Sequence, residues 1–122
     1  MQNDEAEIIF RKADDFVQSV YKITAGFPKS ESFGLVSDLR RTVVFLPLYL
    51  QERSSGNFTR ANNCKILERA HSALKATEFL LSSANQGGYV EKQELDQLIN
   101  SAEEVAQMIC QQIQELKKET DR

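Results

Sequence analysis

Tryptophan is absent from this chain, histidine occurs once, cysteine and proline twice each, and glycine five times. Each scarcity closes off a class of protein. Two cysteines, Cys64 and Cys110, cannot build the disulfide framework of a small secreted domain. The lone His71 excludes a ferritin-like di-metal site, which needs two Glu-x-x-His pairs and further carboxylates. The longest uncharged apolar run, Thr42 to Leu50, has nine residues, against the roughly 20 needed to span a bilayer. Met1 to Glu7 is polar and acidic, the reverse of a secretory signal. A soluble, cytoplasmic protein with no membrane partner is expected. Few glycines and prolines among 27% charged residues suit a helical globule rather than a disordered chain. With 122 residues it has the size of one domain with one core.

An excess of positive charge is also missing. The formal net charge is −3, which argues against wholesale coating of nucleic acid. The charge is uneven, however. Nine Lys/Arg face four Asp/Glu between Lys22 and Lys75, a net of +5, whereas the first 21 residues carry −3 and the last 32 carry −4. This permits a basic face on an acidic protein, although an ordinary solvated helix surface would read the same way.

What the chain does have is apolar spacing at helical period in four stretches. The first is Ile9, Ala13, Phe16, Val20, Ile23 and Phe27, and the second Val36, Leu39, Val43, Leu46 and Leu50. Cys64, Leu67, Ala70, Leu74, Thr77, Leu81 and Ala84 form a broken third. The cleanest is the last: Leu95, Ile99, Ala102, Ala106, Ile109, Ile113 and Leu116. Four amphipathic helices on short connections imply an all-α, antiparallel up-down-up-down four-helix bundle as a single domain over 1–122.

Turn residues divide the helices at about 4–26, 31–53, 58–84 and 91–119. Asp4 is a natural first cap, Gly26 with Pro28 a stop, and Ser30 a cap for the second helix. Ser54 to Asn57 make the next turn and Asn85 to Gly88 the last, and Thr120 to Arg122 should fray. Pro47 lies inside the second helix and should kink it. A strand over 42–50 is the rival reading, and both Pro47 and the preceding heptad oppose it. Val44, Phe45, Leu48 and Tyr49 lie off the second seam. They are either covered by another copy of the chain, as an oligomer interface, or turned inward by the kink.

Chemical motifs are sparse. Glu68 and His71 have one-face spacing, but a partly buried or interfacial histidine is the plainer role. Cys64 and Cys110 lie symmetrically about Gly87, as two small core residues would. Glu78 sits close to the third seam and needs a partner or a raised pKa, with Lys75, Arg40 and Tyr21 as candidates. Glu78 and His71 are therefore expected to be buried polar residues that fix helix register. An enzyme would need both to line one pocket. No catalytic residue, metal site or cofactor is expected.

The order Phe27-Pro28, Phe33-Gly34-Leu35, Ser37, Leu39-Arg40-Arg41, Leu46-Pro47, then Glu52, Leu74, Glu78, Ala84 and Gly88-Tyr89 resembles a known family. It is that of the four-helix-bundle proteins encoded in intervening sequences of bacterial 23S ribosomal RNA genes. The likeness runs from about residue 9 to 116, most specifically from Phe33 to Pro47 and from Glu78 to Val90. It implies a bundle that assembles into a ring-like homopentamer. The family is related to accessory variability proteins of diversity-generating retroelements, which bind a reverse transcriptase and nucleic acid through basic surfaces. Arg40, Arg41 and Pro47 match the family's Arg-Arg and Pro, and Glu52 and Glu78 its recurring glutamates. After Pro47 the family continues with small polar residues, whereas Leu48, Tyr49 and Leu50 stand here, and one extra residue precedes Glu78.

Two functional expectations follow. The first is a non-enzymatic, homo-oligomeric interaction or scaffold module that meets its own copies on the second helix. The second is association with RNA or DNA, as part of a ribosomal RNA or reverse-transcriptase complex, through Lys29, Arg40, Arg41, Arg53, Arg60, Lys65 and Arg69. Convergence of those side chains on one exposed face would separate the two.

Overall fold

The computed structural model describes residues 2–56 and 59–120. Among them all regular structure is helical: α1 (Gln2–Thr24), a 3-10 turn (Lys29–Glu31), α2 (Leu35–Val43), α3 (Phe45–Ser55), α4 (Arg60–Gln86) and α5 (Lys92–Thr120). Helices α2 and α3 share one position, so the bundle has four rods. α1 packs on α2–α3 and on α5, and α4 packs on the same two rods from the other side. Cross-helix pairs give the directions. Glu68 meets Lys117 while Lys75 meets Glu103, so α4 and α5 run opposite ways. The fold is the expected four-helix bundle.

Pro47 explains why the second rod is broken. Its ring crowds the carbonyl four residues back, and it offers no N–H to that oxygen. The helix breaks at Val44 and restarts at Phe45, which puts Pro47 in the first turn of α3. There an N–H has no helical acceptor to miss. The break thus falls three residues before the proline, and the strand alternative over 42–50 is ruled out.

Several boundaries move for physical reasons. α1 ends at Thr24 rather than Gly26, because Gly26 and Phe27 donate to carbonyls three residues back and tighten the last turn. Ser30 caps nothing; it lies in the 3-10 turn, and α2 starts only at Leu35. There Glu31 substitutes for a cap, its Oε1 accepting from the Leu35 amide at 3.4 Å. α3 runs on through Ser55, so the turn begins at Gly56. α4 begins at Arg60 behind Thr59, whose hydroxyl accepts from the Asn62 amide at 3.2 Å. It ends at Gln86, two residues beyond Ala84, and Gly88 takes φ +84° to turn the chain. The Asp4 side chain, Asn57, Phe58 and the end of the expected frayed tail lie outside the described residues.

The third seam, least regular in sequence, is buried at all seven positions. The first is buried except at Ile23, and the second except at Val36, both half-buried. The last seam needs correction. Leu95, Ile99, Ile113 and Leu116 are half-buried, whereas Leu98, Val105 and Gln112 are buried beside Ala102, Ala106 and Ile109. α5 is therefore rotated by about one residue from the stripe its apolar pattern suggests.

Candidate nucleic-acid interface

Two outward strips meet between the second and third rods. On α2–α3, Arg41, Phe45 and Tyr49 recur every fourth residue, so they stack along one edge. On α4, Lys65, Arg69 and Ser72 do the same at four- and three-residue steps. Antiparallel packing brings the edges together around a groove of about 490 Å³, to which Thr42, Glu68 and Ala73 also contribute. A smaller recess lined by Glu52, Asn62, Lys65, Ile66 and Arg69 adjoins it.

The groove combines cations with aromatic surface. Phe45 and Tyr49 stack with ring centroids 5.9 Å apart and planes at 26°. Tyr49 packs against the core and is half-buried, while Phe45 is 43% exposed. Arg41 holds Asp38 at 2.7 Å in an exposed pair, and Glu68 is drawn toward Lys117 of α5 at 3.8 Å. Exposed pairs of this kind exchange readily for another anion.

The other cations of the expected interface go elsewhere. Arg40 turns to α1, its Nε donating to Thr24 Oγ1 at 2.9 Å and its Nη2 to the Tyr21 carbonyl at 3.1 Å. Its guanidinium also lies 4.7 Å from the Tyr21 ring centre. The second half of the Arg-Arg motif faces the groove and the first half ties two helices together. Lys29 is exposed in the 3-10 turn at one end of the bundle. Arg53 and Arg60 line a polar cavity of about 330 Å³ at the other end, with Glu5, Asn63 and Gln112. Burial pushes the Arg53 guanidinium below its ordinary range, and Cys64 and Glu5 act in the opposite direction. Arg53 Nε, Asn63 Oδ1 and Gln112 Oε1 are buried there with no hydrogen-bond partner among the described residues.

The expected oligomer face is divided. Val44 and Tyr49 pack on their own core, as the kink reading has it. Phe45 and Leu48 stay exposed, at 43% and 54%.

Glu78 finds Lys75 rather than Arg40 or Tyr21, which bind each other. Lys75 Nζ lies 3.4 Å from Glu78 Oε2, and that oxygen is buried with no aligned hydrogen bond among the described residues. Lys75 also donates to Glu103 on α5. Burial, reinforced by the neighbouring Glu103, pushes the Glu78 carboxyl up to about 7 against the pull of Lys75. Glu103, which accepts from Lys75, is held below the usual carboxylate range. Half-buried His71 stands near Glu103. This cluster bridges α4 and α5 and lines neither the groove nor the polar cavity. Among the described residues no group of three His, Cys, Asp or Glu side chains is placed to hold a metal ion. Both cysteines are free, Cys64 buried and Cys110 half-buried.

The aromatic half of the groove was missed in the sequence, where Phe45 and Tyr49 read only as apolar surplus. Their four-residue phase with Arg41 is the signal that could have joined them to the cations.

Residues 5–111 match the family of 23S rRNA-intervening sequence proteins. The chain belongs to that family. The resemblance read from Phe27-Pro28 through Gly88-Tyr89 is thereby confirmed, and both walls of the groove lie inside the matched stretch. A solved structure of a protein of unknown function from the S23 ribosomal protein family, from Bacteroides thetaiotaomicron, shares the fold. It superposes with a TM-score of 0.82 over 90% of this chain and 98% of its own, at 14% identity. At that identity the likeness is one of fold alone. No curated protein matches this family member. Among its described residues no helix is long and apolar enough to cross a membrane.

Proposed function

We propose that this protein is a non-enzymatic accessory bundle that associates with RNA or DNA through the groove between α2–α3 and α4. The observation that carries this reading is the meeting of Arg41, Lys65 and Arg69 around the exposed Phe45–Tyr49 pair. Cations supply sequence-independent attraction to phosphates, released counterions make it salt-dependent, and aromatic faces give bases a place to stack. The acidic remainder of the chain confines the attraction to this strip, in keeping with a net charge of −3. A ribosomal RNA segment or the nucleic acid of a reverse-transcriptase complex fits this chemistry. Fluorescence anisotropy with a short labelled RNA hairpin tests it. Binding should weaken steeply with salt, and Lys65→Gln with Arg69→Gln should reduce the slope of log K against log salt by about 2. No binding at low salt, or an unchanged slope, overturns it.

A second reading rests on Leu48. It is 54% exposed and lines neither the groove nor its adjoining recess. A second copy of this chain covering Leu48 would make the protein a homo-oligomer, with a pentamer the number the family resemblance implies. Light scattering behind size exclusion should give a mass of several chains, and Leu48→Ser should lower it without loss of helicity. A monomeric wild-type protein refutes this reading and leaves the groove untouched.

A further inference from the structure

We infer that the groove takes unpaired nucleotides, stacking a base on the Phe45–Tyr49 pair, rather than the backbone of a duplex. This rests on the nucleic-acid reading above and narrows it to one substrate class. Tyr49 is anchored on the core, and Phe45 lies against it at 26° with 43% of its surface open. Such a platform is anchored through its inner ring and exposed at its outer one. A duplex keeps its base faces inside its own stack and offers a protein phosphates and groove edges. It would leave Phe45 unused. An unpaired strand presents base faces, and every base can stack, so recognition needs no particular sequence.

The cations are placed to match. Lys65 and Arg69 lie one turn apart on α4, about 6 Å along the axis, and Arg41 stands on the facing wall. A strand laid along the groove therefore meets positive charge beside the aromatic platform on its own wall and across from it. Thr42 and Ser72 add hydroxyls to the same lining, beside the Glu68 carboxylate. A volume of about 490 Å³ is in the range of clefts that hold one nucleotide-sized group rather than a helix.

The test is competition between single strands and duplex. A labelled single strand, its RNA and DNA versions, and the duplex of the same sequence are titrated at one low salt concentration. The single strand should bind at least about tenfold more tightly than the duplex, with RNA and DNA alike. Phe45→Leu, which keeps an apolar side chain and removes the flat face, should cost the single strand roughly 5- to 50-fold and leave the duplex unchanged. Circular dichroism and light scattering on the variant confirm that fold and assembly are those of the wild type. Equal binding of strand and duplex overturns this inference while the nucleic-acid reading survives. So does a single-strand preference that Phe45→Leu leaves intact. Absence of binding to any of the probes sinks both.

Discussion

Replacing Glu78 with glutamine should make the protein more stable at neutral and alkaline pH, and should do so only there. Glu78 is 14% exposed, one oxygen lies buried without an aligned donor among the described residues, and its carboxyl is pushed up to about 7. The unfolded chain returns it to the ordinary value of 4.5. Between those values the native state holds a proton that the unfolded state has lost. Stability is thus full below about 4.5 and falls as pH rises toward about 7, because unfolding then releases a proton. The titratable and charged neighbours are Lys75 and His71 on α4 and Glu103 on α5. Glu103 works with the opposite sign: its depressed carboxyl adds stability above the ordinary value and loses it as pH falls further. Each unit of displacement is worth about 1.4 kcal/mol, and a side chain still 14% exposed realises only part of that. A penalty of about 1–3 kcal/mol on the ionised Glu78 is the reasonable range. Glutamine keeps the volume and carries no charge to desolvate, and Lys75 retains Glu103. Urea unfolding at a series of pH values from about 4.5 to about 8, at constant ionic strength, gives the difference curve. Subtraction cancels titrations the two proteins share. The variant should equal or trail the wild type near pH 5 and lead it by about 1–2 kcal/mol at pH 8. A pH-independent difference, or a wild type that leads at pH 8, refutes the reasoning. Glu78 would then be an ionised, well-paired register lock.

Two further expectations follow from local geometry. Arg40→Met should destabilise by about 1.5–3 kcal/mol in urea unfolding, since it removes two charge-assisted hydrogen bonds and a contact with the Tyr21 ring. Arg40→Lys should recover less than half of that, because an ammonium cannot reproduce the fork, and neither change should alter the salt slope of RNA binding. Thr59→Ala should cost about 1 kcal/mol by uncapping α4, with the same helical content by circular dichroism. No loss on Thr59→Ala would mean that Thr59 is not the working cap.

The architecture was legible because each rod must bury one stripe, and a stripe can be read from spacing alone. The seam of α4 shows how tolerant the rule is: Thr77 and the small Ala70 are as firmly inside as Leu67, with Cys64 slightly less so, since position on the wheel outweighs side-chain size. α5 shows its failure. Its pattern offers two nearly equivalent stripes, one through Leu95, Ile99 and Ile113, the other through Leu98, Val105 and Gln112. The choice between them depends on how α5 rolls against its neighbours, which no periodicity within α5 contains. Lys75 reaching Glu103 is one contact consistent with the roll that buries Leu98 and Val105. The same reasoning explains the groove. Arg40 and Arg41 are adjacent, and one residue of a helix turns through about 100°. One guanidinium therefore enters the α1 seam and the other the α4 groove, although the sequence presents them as a unit. The break at Val44 leaves that phase intact, because Val44 keeps right-handed helical angles, φ −68° and ψ −20°. Phe45 and Tyr49 therefore continue the edge that Arg41 begins. Replacing Pro47 with alanine should then separate fold from site. The helix should run unbroken through Val44, and Arg41, Phe45 and Tyr49 should stay on one edge of it. Single-strand affinity and its excess over duplex should equal those of the wild type while thermal stability holds or rises. Loss of strand preference in a folded Pro47→Ala protein would show that the break, and not the four-residue phase, aims the platform at Lys65 and Arg69.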